Sequence, residues 1–319
     1  MIVSEVFMGF WDIVKVILYG VVEGITEWLP VSSTGHLILF DKFIPLNFSS
    51  AFMDMFEYVI QLFAIFAVVL YFWRTLFPIG KKPSTTEEKG ALYLKKDTLT
   101  LWGKVLIACV PALIAFVIDK VLLENIDDIT QSVMIACALI VYGAVFLWIE
   151  NRNKDKQRTV TSMQDLSLKT AFFIGCFQVL AIIPGTSRSG ITIIGALLLG
   201  VSRVVSAEFT FFLAVPTMVG ASGYKILDFF LDGNTLGSAE ILALVIGCTV
   251  AFAVSMFAVK FLMNFVKKHD FKPFGWYRIA LGAVVLFALV LPALWVKPRY
   301  KRYQKAVPII ALSIGILIE

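Results

Sequence analysis

Six apolar stretches dominate this chain of 319 residues, and each is long enough to cross a lipid bilayer as a helix. A transmembrane helix needs about 20 predominantly apolar residues, because the hydrocarbon core of a bilayer is about 30 Å thick. With 59% of its residues hydrophobic, the chain carries more apolar surface than a soluble domain could bury. The sequence therefore predicts an all-α polytopic membrane protein. We expect the spans at about residues 51–73, 99–122, 131–149, 204–230, 239–264 and 276–296.

Charged residues are unevenly distributed among the loops between these spans. Basic residues are concentrated at residues 74–96, 150–169 and 266–278, whereas acidic residues mark the loops around Asp127 and Asp232. Because cytoplasmic loops of membrane proteins carry an excess of lysine and arginine, we expect the three basic loops to be cytoplasmic and the two acidic loops external. The basic residues are spread over short loops beside spans, a pattern that argues against nucleic acid as a partner.

Two polar tracts interrupt the apolar sequence, at residues 23–36 and 184–192. Both contain hydroxyl residues punctuated by proline and glycine, and residues 184–190 are an imperfect copy of residues 30–35. Ionisable side chains at membrane depth cost at least about 2.5 kcal/mol each on insertion, so they generally mark functional sites. A broken polar element in each half of a membrane protein indicates where a binding site lies.

The predicted orientations of the spans require each polar tract to enter and leave the membrane on the same side. Residues 8–45 would dip in from outside and residues 168–202 from the cytoplasm, so each half would be one re-entrant helical hairpin plus three transmembrane helices. Two such halves form an inverted-topology repeat. Backbone at membrane depth needs protein or water as hydrogen-bond partners, so both tips should meet inside the bundle. We assign the helix breaks to Pro30, Gly35, Pro184, Gly185 and Gly190.

These features predict a single integral membrane domain over residues 1–296. Repeat 1 covers about residues 1–150, a cytoplasmic linker residues 150–169, and repeat 2 about residues 168–296. Residues 297–319 combine a basic stretch with an apolar run that is too short for a confident span, and this tail has no assigned role.

Glu23 and Glu27 are four residues apart, which places both carboxylates on one face of a helix. Two such carboxylates can share a divalent cation, such as Mg²⁺ or Ca²⁺, through oxygen ligands, or divide into a base and an electrostatic partner. A structural alternative is that they pair with arginine or lysine. Two acids in one short apolar helix beside a broken loop favour the functional interpretation.

Ser32, Ser33 and Thr34 form a hydroxyl cluster in the first tract, directly before Gly35. Such a turn offers hydroxyl and backbone N–H groups to an anion, and a serine in it can be a nucleophile if a base reaches it. Alternatively, these residues only cap a helix that starts near Gly35. His36 can act as an acid, a base or a phosphate donor near neutral pH, or it can be a buried hydrogen-bonding histidine.

The second tract has the composition of a phosphate-binding loop. Its glycines let the backbone approach an anion, its hydroxyls and amides donate hydrogen bonds, and Arg188 offers a planar fork to phosphate oxygens. Arg188 has no acidic neighbour in sequence, so we expect it to pair with Glu27 or Glu23 without ligand and with phosphate in a bound state. The residues assigned to substrate binding are Gly185, Thr186, Ser187, Ser189 and Thr192 of this tract, together with Glu23, Ser32 and Thr34 of the first.

Taken together, the two tracts resemble those of the undecaprenyl-diphosphate phosphatase family, the bacitracin-resistance membrane phosphatases. Further similar stretches lie at residues 56–61, 214–216 and 274–282, and the resemblance covers about residues 1–296. It implies hydrolysis of the lipid carrier's diphosphate to the monophosphate and inorganic phosphate, with a divalent cation, at the outer face of the bacterial plasma membrane. Such an activity recycles the carrier for peptidoglycan synthesis and gives bacitracin resistance.

The resemblance also implies roles for individual residues. Acidic roles fall to Glu23 and Glu27, and a nucleophile or phosphate role falls to Ser33. Phosphate binding falls to His36, Ser187, Arg188, Ser189 and Thr192.

The attacking group and the general function each have an alternative. We expect Ser33 to attack the phosphorus while Glu27 or His36 takes its proton, and a metal-bound water is the alternative nucleophile. The alternative function is a secondary transporter or flippase for an anionic or lipid-phosphate substrate, since inverted repeats with broken helices suit alternating access. The expected partners are a polyprenyl diphosphate and the bilayer, and a homodimer is possible.

Overall fold

The computed structural model describes residues 8–81, 92–122, 126–154 and 156–296, and this part of the chain is mostly helical. In chain order the helices are α1 (Phe10–Thr26), α2 (Ser33–Phe43), α3 (Ser50–Tyr71), α4 (Trp73–Leu76), α5 (Lys96–Leu122), α6 (Asp128–Arg152), α7 (Leu168–Val179), α8 (Arg188–Leu198), α9 (Arg203–Leu231), α10 (Ser238–Val266), α11 (Lys272–Val285) and α12 (Leu291–Val296). A 3-10 turn (Leu180–Ile182) follows α7, and a π-helical turn (Leu286–Val290) joins α11 to α12. The predicted tail at residues 297–319 lies outside the described residues.

Six helices of the described chain are long and apolar enough to cross a membrane. Each overlaps one predicted span, so the prediction of an all-α polytopic membrane protein is confirmed. The sequence did not indicate a short antiparallel pair of strands, β1 (Ile79–Lys81) and β2 (Leu92–Leu94), in the first basic loop. The six helices are Ser50–Tyr71, Lys96–Ile114, Asp128–Arg152, Arg203–Leu231, Ser238–Val266 and Lys272–Ala293.

Each polar tract separates two short helical segments, as predicted. The first tract ends α1 and begins α2, and the second follows the 3-10 turn and begins α8. Pro30 lies in the first gap, and Pro184 and Gly185 lie in the second. Proline lacks the N–H group that a helix needs at each interior position, which explains why both helices stop here.

The assignment of helix breaks to Gly35 and Gly190 is wrong. Both glycines lie in the first turn of the following helix, where their N–H groups donate to the side chains of Ser32 and Ser187. These two serines are the non-glycine residues with positive φ in the described chain, at 76° and 67°. A non-glycine residue in such a conformation costs of order 1–3 kcal/mol, and it is typical of functional sites. The sharp turn into each helix is therefore made by a serine.

The helices of the two halves pack largely against each other. α1 packs along α10 and α7 packs along α5, while α3 contacts α9 and α6 contacts α11. In a repeat, α7, α8, α9, α10 and α11 would correspond in that order to α1, α2, α3, α5 and α6. The contact of α1 with α10 is then equivalent to the contact of α7 with α5. The contacts of α3 with α9 and of α6 with α11 each join a helix to its counterpart. Such reciprocal contacts are typical of internal repeats. The opposite membrane orientation of the two halves stays a prediction.

Glycines allow two of these helix pairs to approach closely. A Cβ atom added at Gly24 of α1 would lie 2.8 Å from the carbonyl oxygen of Ala251 in α10. Gly143 of α6 and Gly275 of α11 face each other, because a Cβ atom on either would lie 2.8 or 2.9 Å from the carbonyl oxygen of the other. Small residues permit such contacts, and close packing drives helix association in a membrane, where lipid tails are as apolar as the helices.

An ion pair with one buried partner, Glu150, joins three helices near the linker between the halves. Glu150 at the end of α6 accepts hydrogen bonds from Arg203 at the start of α9. The same carboxylate accepts a hydrogen bond from the backbone N–H of Phe271, directly before α11. A parallel bridge between Val160 and Val201 ties the linker to the turn after α8. These contacts fix the ends of the helices that surround the second polar tract.

We predict that Gly143→Ala destabilises the protein, whereas Gly103→Ala does not. The added methyl group at Gly143 collides with the backbone of α11, and overpacking of this kind costs about 1–3 kcal/mol. At Gly103 of α5 an added Cβ meets nothing within 4 Å. The higher helix propensity of alanine should therefore raise the free energy of unfolding by up to about 1 kcal/mol. Thermal unfolding of the detergent-solubilised variants measures both effects. Equal melting temperatures would contradict the close packing of α6 on α11.

Candidate active site

The two polar tracts come together inside the bundle, as predicted. The Oγ of Ser189 in the second tract lies 3.3 Å from the carbonyl oxygen of Glu27 and 3.4 Å from that of Leu29 in the first. Arg188 forms an ion pair with Glu27, with 2.6 Å between Nη2 and Oε1. Both side chains of the pair are largely buried, with exposed fractions of 18% and 9%. The site is thus built jointly by the two halves of the chain.

Glu27 connects a hydroxyl group to a guanidinium group. Ser33 Oγ donates to Glu27 Oε2 over 2.8 Å, while Arg188 donates to the other carboxylate oxygen. Arg188 Nη1 also donates to Thr217 Oγ1 of α9 over 3.3 Å. The expected pairing of Arg188 with a glutamate is confirmed for Glu27, and Glu23 takes no part in it. A carboxylate in this position can accept the proton of the serine.

Ser33 and Arg188 are the first residues of two equivalent helices, α2 and α8. The preceding residues, Ser32 and Ser187, cap the helices by accepting a hydrogen bond from the N–H group three residues further on. Ser33 and Arg188 bind the same carboxylate, so both helix N-termini lie beside it. The free N–H groups of a helix N-terminus favour anions. Two such ends and one arginine form an arrangement suited to phosphate oxygens.

His36 is hydrogen-bonded away from this group. Its Nδ1 lies 2.7 Å from the carbonyl oxygen of Ser32, and its Nε2 lies 2.7 Å from the hydroxyl of Tyr277. A carbonyl oxygen only accepts, so Nδ1 carries a proton, and Tyr277 donates to Nε2 when the ring is neutral. Of the two predicted proton acceptors for Ser33, the one in hydrogen-bonding position is therefore Glu27. A phosphate-binding role for His36 stays a prediction.

Glu23 is fully buried, one helical turn before Glu27. Its polar neighbours are Glu27, Glu57 and Gln61. Within the described chain, neither carboxylate oxygen of Glu23 has a hydrogen-bond partner. No group of three or more His, Cys, Asp or Glu side chains among these residues is arranged to hold a metal ion. A cation here would need Glu23 and Glu27 plus oxygens from water or phosphate, which is how proteins commonly bind Mg²⁺.

Sequence reasoning missed Arg278, which binds both tracts at once. Its guanidinium is fully buried and donates to the carbonyl oxygens of Gly185 and Thr186 over 2.9 Å each and to that of Pro30 over 3.4 Å. The ion pairs of the described residues do not include it. Arg278 lies in the stretch 274–282 that carries part of the family resemblance. The assignment of Arg278 to the end of the basic loop at residues 266–278 is wrong, because Arg278 lies in α11 and is fully buried.

Several predicted binding residues support the tracts through internal hydrogen bonds. Ser32 and Ser187 are helix caps, in agreement with the structural alternative for the first tract. The hydroxyl of Thr192 donates within α8 and accepts a hydrogen bond from Thr210 of α9 over 3.0 Å. These contacts hold the loops in place, and direct contact of these residues with a substrate stays a prediction.

Gly185, Thr186 and Thr34 differ in their surroundings. Gly185 has a φ of 88°, and a Cβ atom there would lie 2.6 Å from the Cα of Ile135, so the position requires glycine. Thr186 is fully buried, and its hydroxyl has no partner within the described residues. Thr34 is exposed. Among the described residues neither hydroxyl has a hydrogen-bond partner, so both can serve as the predicted phosphate ligands.

The fold and the site together define a class of protein. The described chain has six candidate membrane spans and a largely buried group of serine, carboxylate and arginine at two broken helices. The protein is therefore a polytopic membrane protein with a polar site between its two halves.

Comparison with known proteins identifies the family. Residues 16–284 match the family described as bacitracin resistance protein BacA. An undecaprenyl-diphosphatase from Enterococcus faecalis is 58% identical over 280 residues, which cover 88% of this chain and 98% of the relative. The chain therefore belongs to the bacitracin resistance protein BacA family, and the resemblance seen in the motifs is confirmed.

Two further relatives match over a similar extent. An undecaprenyl-diphosphatase from Lachnoclostridium phytofermentans is 53% identical over 279 residues, covering 87% of this chain and 97% of the relative. One from Streptococcus equi subsp. zooepidemicus is 51% identical over 292 residues, covering 90% of this chain and all of the relative.

We predict that Arg278→Lys lowers the melting temperature more than Arg152→Lys does. A lysine at position 278 cannot span the three carbonyl oxygens that the planar guanidinium reaches, and each buried group left unpaired costs about 1–3 kcal/mol. Arg152 lies over the ring of Trp148 at the end of α6 and has an exposed side chain. Thermal unfolding in detergent gives the comparison. Equal shifts for the two variants would mean that Arg278 contributes only a charge.

Proposed function

We propose that this chain hydrolyses undecaprenyl diphosphate to undecaprenyl phosphate and inorganic phosphate. The relatives named undecaprenyl-diphosphatase support this activity, because the chain matches them over nearly their whole length. The observation that carries the proposal is the hydrogen-bonded series of Ser33, Glu27 and Arg188. It combines a nucleophile, a proton acceptor and an anion ligand at one point. Transport of a simple anion, the alternative from sequence, does not need that combination.

Substrate binding begins with Arg188 in this proposal. The terminal phosphate competes with Glu27 for the guanidinium, which can present two N–H groups to two phosphate oxygens. The backbone N–H groups at the starts of α2 and α8 add further donors, and such donors stabilise the charge that develops on phosphate oxygens. Once Arg188 binds phosphate, Glu27 keeps Ser33 as its hydrogen-bonded donor and is free to take its proton.

Ser33 is the proposed nucleophile. Its Oγ bonds to the terminal phosphorus, the bond from that phosphorus to the bridging oxygen breaks, and undecaprenyl phosphate leaves with the bridging oxygen. The Ser33 proton passes to Glu27. Water then attacks the phosphoserine, its oxygen bonds to phosphorus, and Oγ leaves and regains a proton through Glu27. In the alternative, water attacks the diphosphate directly and Ser33 only holds the phosphate.

We also propose that Glu23 and Glu27 hold a divalent cation, Mg²⁺ or Ca²⁺. The observation that supports a cation is the fully buried carboxylate of Glu23, whose oxygens lack a partner in the described chain. The charged form of a carboxylate in this condition is costly unless something pairs with it, and a cation would be such a partner. When bound, the ion would neutralise charge on the phosphate oxygens and help to orient them.

The proposed setting is the bacterial plasma membrane, with the active site opening to the outer face. There the reaction would recycle the lipid carrier for peptidoglycan synthesis and give resistance to bacitracin, in line with the family description.

The outward opening rests on the charge of the loops. In intact cells, on a background without native cysteines, an impermeant thiol reagent should label Asp232→Cys and not Asp165→Cys. The reverse pattern would overturn this orientation. The homodimer stays a prediction.

We predict that Arg188→Lys is nearly as inactive as Arg188→Ala. Both variants lose the fork that binds two phosphate oxygens, and removal of one charge-stabilising donor costs about 10²–10³-fold in kcat. Phosphate release from undecaprenyl diphosphate by purified protein measures the loss. Arg152→Ala, outside the site, is the matched control and should keep wild-type activity. A lysine variant with most of the activity would show that charge alone matters at position 188.

We predict that a chelator abolishes hydrolysis and that added Mg²⁺ or Ca²⁺ restores it. Glu23→Gln and Glu27→Gln should each lower the rate by at least about 100-fold, because each removes a proposed ligand of a hard cation. Asp232→Asn, an exposed acid at the end of α9, serves as the control. Full activity in excess chelator would remove the cation from the proposal and leave Glu27 as a base.

We predict a covalent phosphoenzyme on Ser33. Rapid quenching of a turnover mixture that contains substrate labelled on the terminal phosphate should place label on the Ser33 peptide, and Ser33→Ala should lose at least about 10³-fold in kcat. Ser238→Ala is the matched control, because Ser238 is likewise the first residue of a helix but is exposed. Absence of labelled enzyme at every time point, with slow turnover by Ser33→Ala, would favour direct attack by water.

A further inference from the structure

An apolar cleft of about 470 Å³ lies between α5 and α7, outside the polar site. Its lining consists of aliphatic and aromatic side chains and one thiol. The main contributors are Val110, Pro111 and Ile114 of α5 and Phe173, Cys176 and Phe177 of α7.

The mouth of the cleft is open at the side of the bundle. Ile114, at the end of the candidate span in α5, is 60% exposed, and Phe173, on the short apolar helix α7, is 43% exposed. Pro111 removes one hydrogen bond of α5 next to the cleft, since proline has no N–H group. In a bilayer this opening would face lipid, which is the medium that contains the tail of a lipid substrate.

The inner end of the cleft adjoins the second polar tract. Leu180 lines the cleft and is the first residue of the 3-10 turn that leads into that tract. Phe177 lines the cleft and also contacts α8, because a Cβ atom added at Gly195 would lie 2.5 Å from its ring. α8 begins with Arg188. The cleft is thus lined by the turn that leads into the second tract, and its residue Phe177 packs against α8 about two turns beyond Arg188.

We infer that this cleft holds part of the isoprenoid chain of the substrate while the diphosphate is bound at Arg188. The inference rests on the proposed function. The apolar lining offers no partner to the diphosphate, so the head group is directed to the polar tract and the tail to the cleft. A chain whose head is held at Arg188 has a high effective concentration at a cleft formed by the preceding helix and turn, and this favours it over untethered bilayer lipids. The cleft would therefore position the scissile bond relative to Ser33.

The test compares substrates with long and short isoprenoid chains. In Cys176→Trp the indole should fill the cleft and displace a long isoprenoid chain. The value of kcat/KM for a C55 diphosphate, divided by that for a C5 diphosphate, should therefore fall about tenfold, because a misplaced chain misplaces the reacting group. Ile114→Trp tests the same cleft from α5. The matched control is Val245→Trp on α10, which is 58% exposed and lies away from the cleft. An unchanged ratio in both cleft variants, with C5 activity intact, would overturn the inference.

A second measurement does not depend on turnover. In a variant with Cys176 as its single cysteine, undecaprenyl phosphate should slow alkylation of Cys176 at least about fivefold, whereas inorganic phosphate should not, because the alkyl chain must occupy the cleft to shield the thiol. Equal alkylation rates with and without undecaprenyl phosphate would count against the inference. If the wild type hydrolyses neither C55 nor C5 diphosphate, the proposed function itself fails. If it hydrolyses both and the cleft variants behave like Val245→Trp, the cleft assignment alone fails.

Discussion

The ion pair between Glu27 and Arg188 joins residues that are 161 positions apart in sequence, one from each polar tract. Removal of one partner from a buried pair typically costs about 3–5 kcal/mol, because the remaining charge is left uncompensated. In the proposed reaction a substrate phosphate replaces Glu27 as the negative partner of Arg188, and the proposed cation would compensate the charge of Glu27. Ser189 and Arg278 bond to backbone carbonyl oxygens, which a phosphate does not replace. The two polar tracts would therefore stay together while Arg188 exchanges Glu27 for the phosphate.

The large features of the fold follow from the sequence because their signals are local. A run of about 20 apolar residues specifies a span by itself, and a proline inside an apolar stretch specifies where a helix stops. Part of the site was predictable, because ionisable side chains such as Glu27 and Arg188 are unusual at membrane depth whatever surrounds them. Arg278, Thr217 and Tyr277 were not predictable, because their roles come from contacts between helices that are far apart in sequence.

One wrong assignment and one open alternative from the sequence have the same physical origin. Glycine is usually interpreted as a helix breaker, yet Gly35 and Gly190 each supply a capped N–H group inside a helix. The strained conformation lies at Ser32 and Ser187, and a serine with positive φ leaves no trace in a single sequence. Proximity in sequence likewise made His36 a candidate acceptor for the proton of Ser33, whereas its ring is held by backbone and by a side chain of another helix. In both cases a tertiary contact decides the role of the residue.

The matching turns before α2 and α8 have a consequence for the side chains that they carry. The same backbone shape occurs twice, but its first helical residue is a serine in one copy and an arginine in the other. Two turns of the same shape are two equal supports, and the side chains that they carry can differ without any change in the backbone. In this chain one turn presents a hydroxyl group and the other a guanidinium group to the same carboxylate. Two similar backbones thus hold an asymmetric group of side chains.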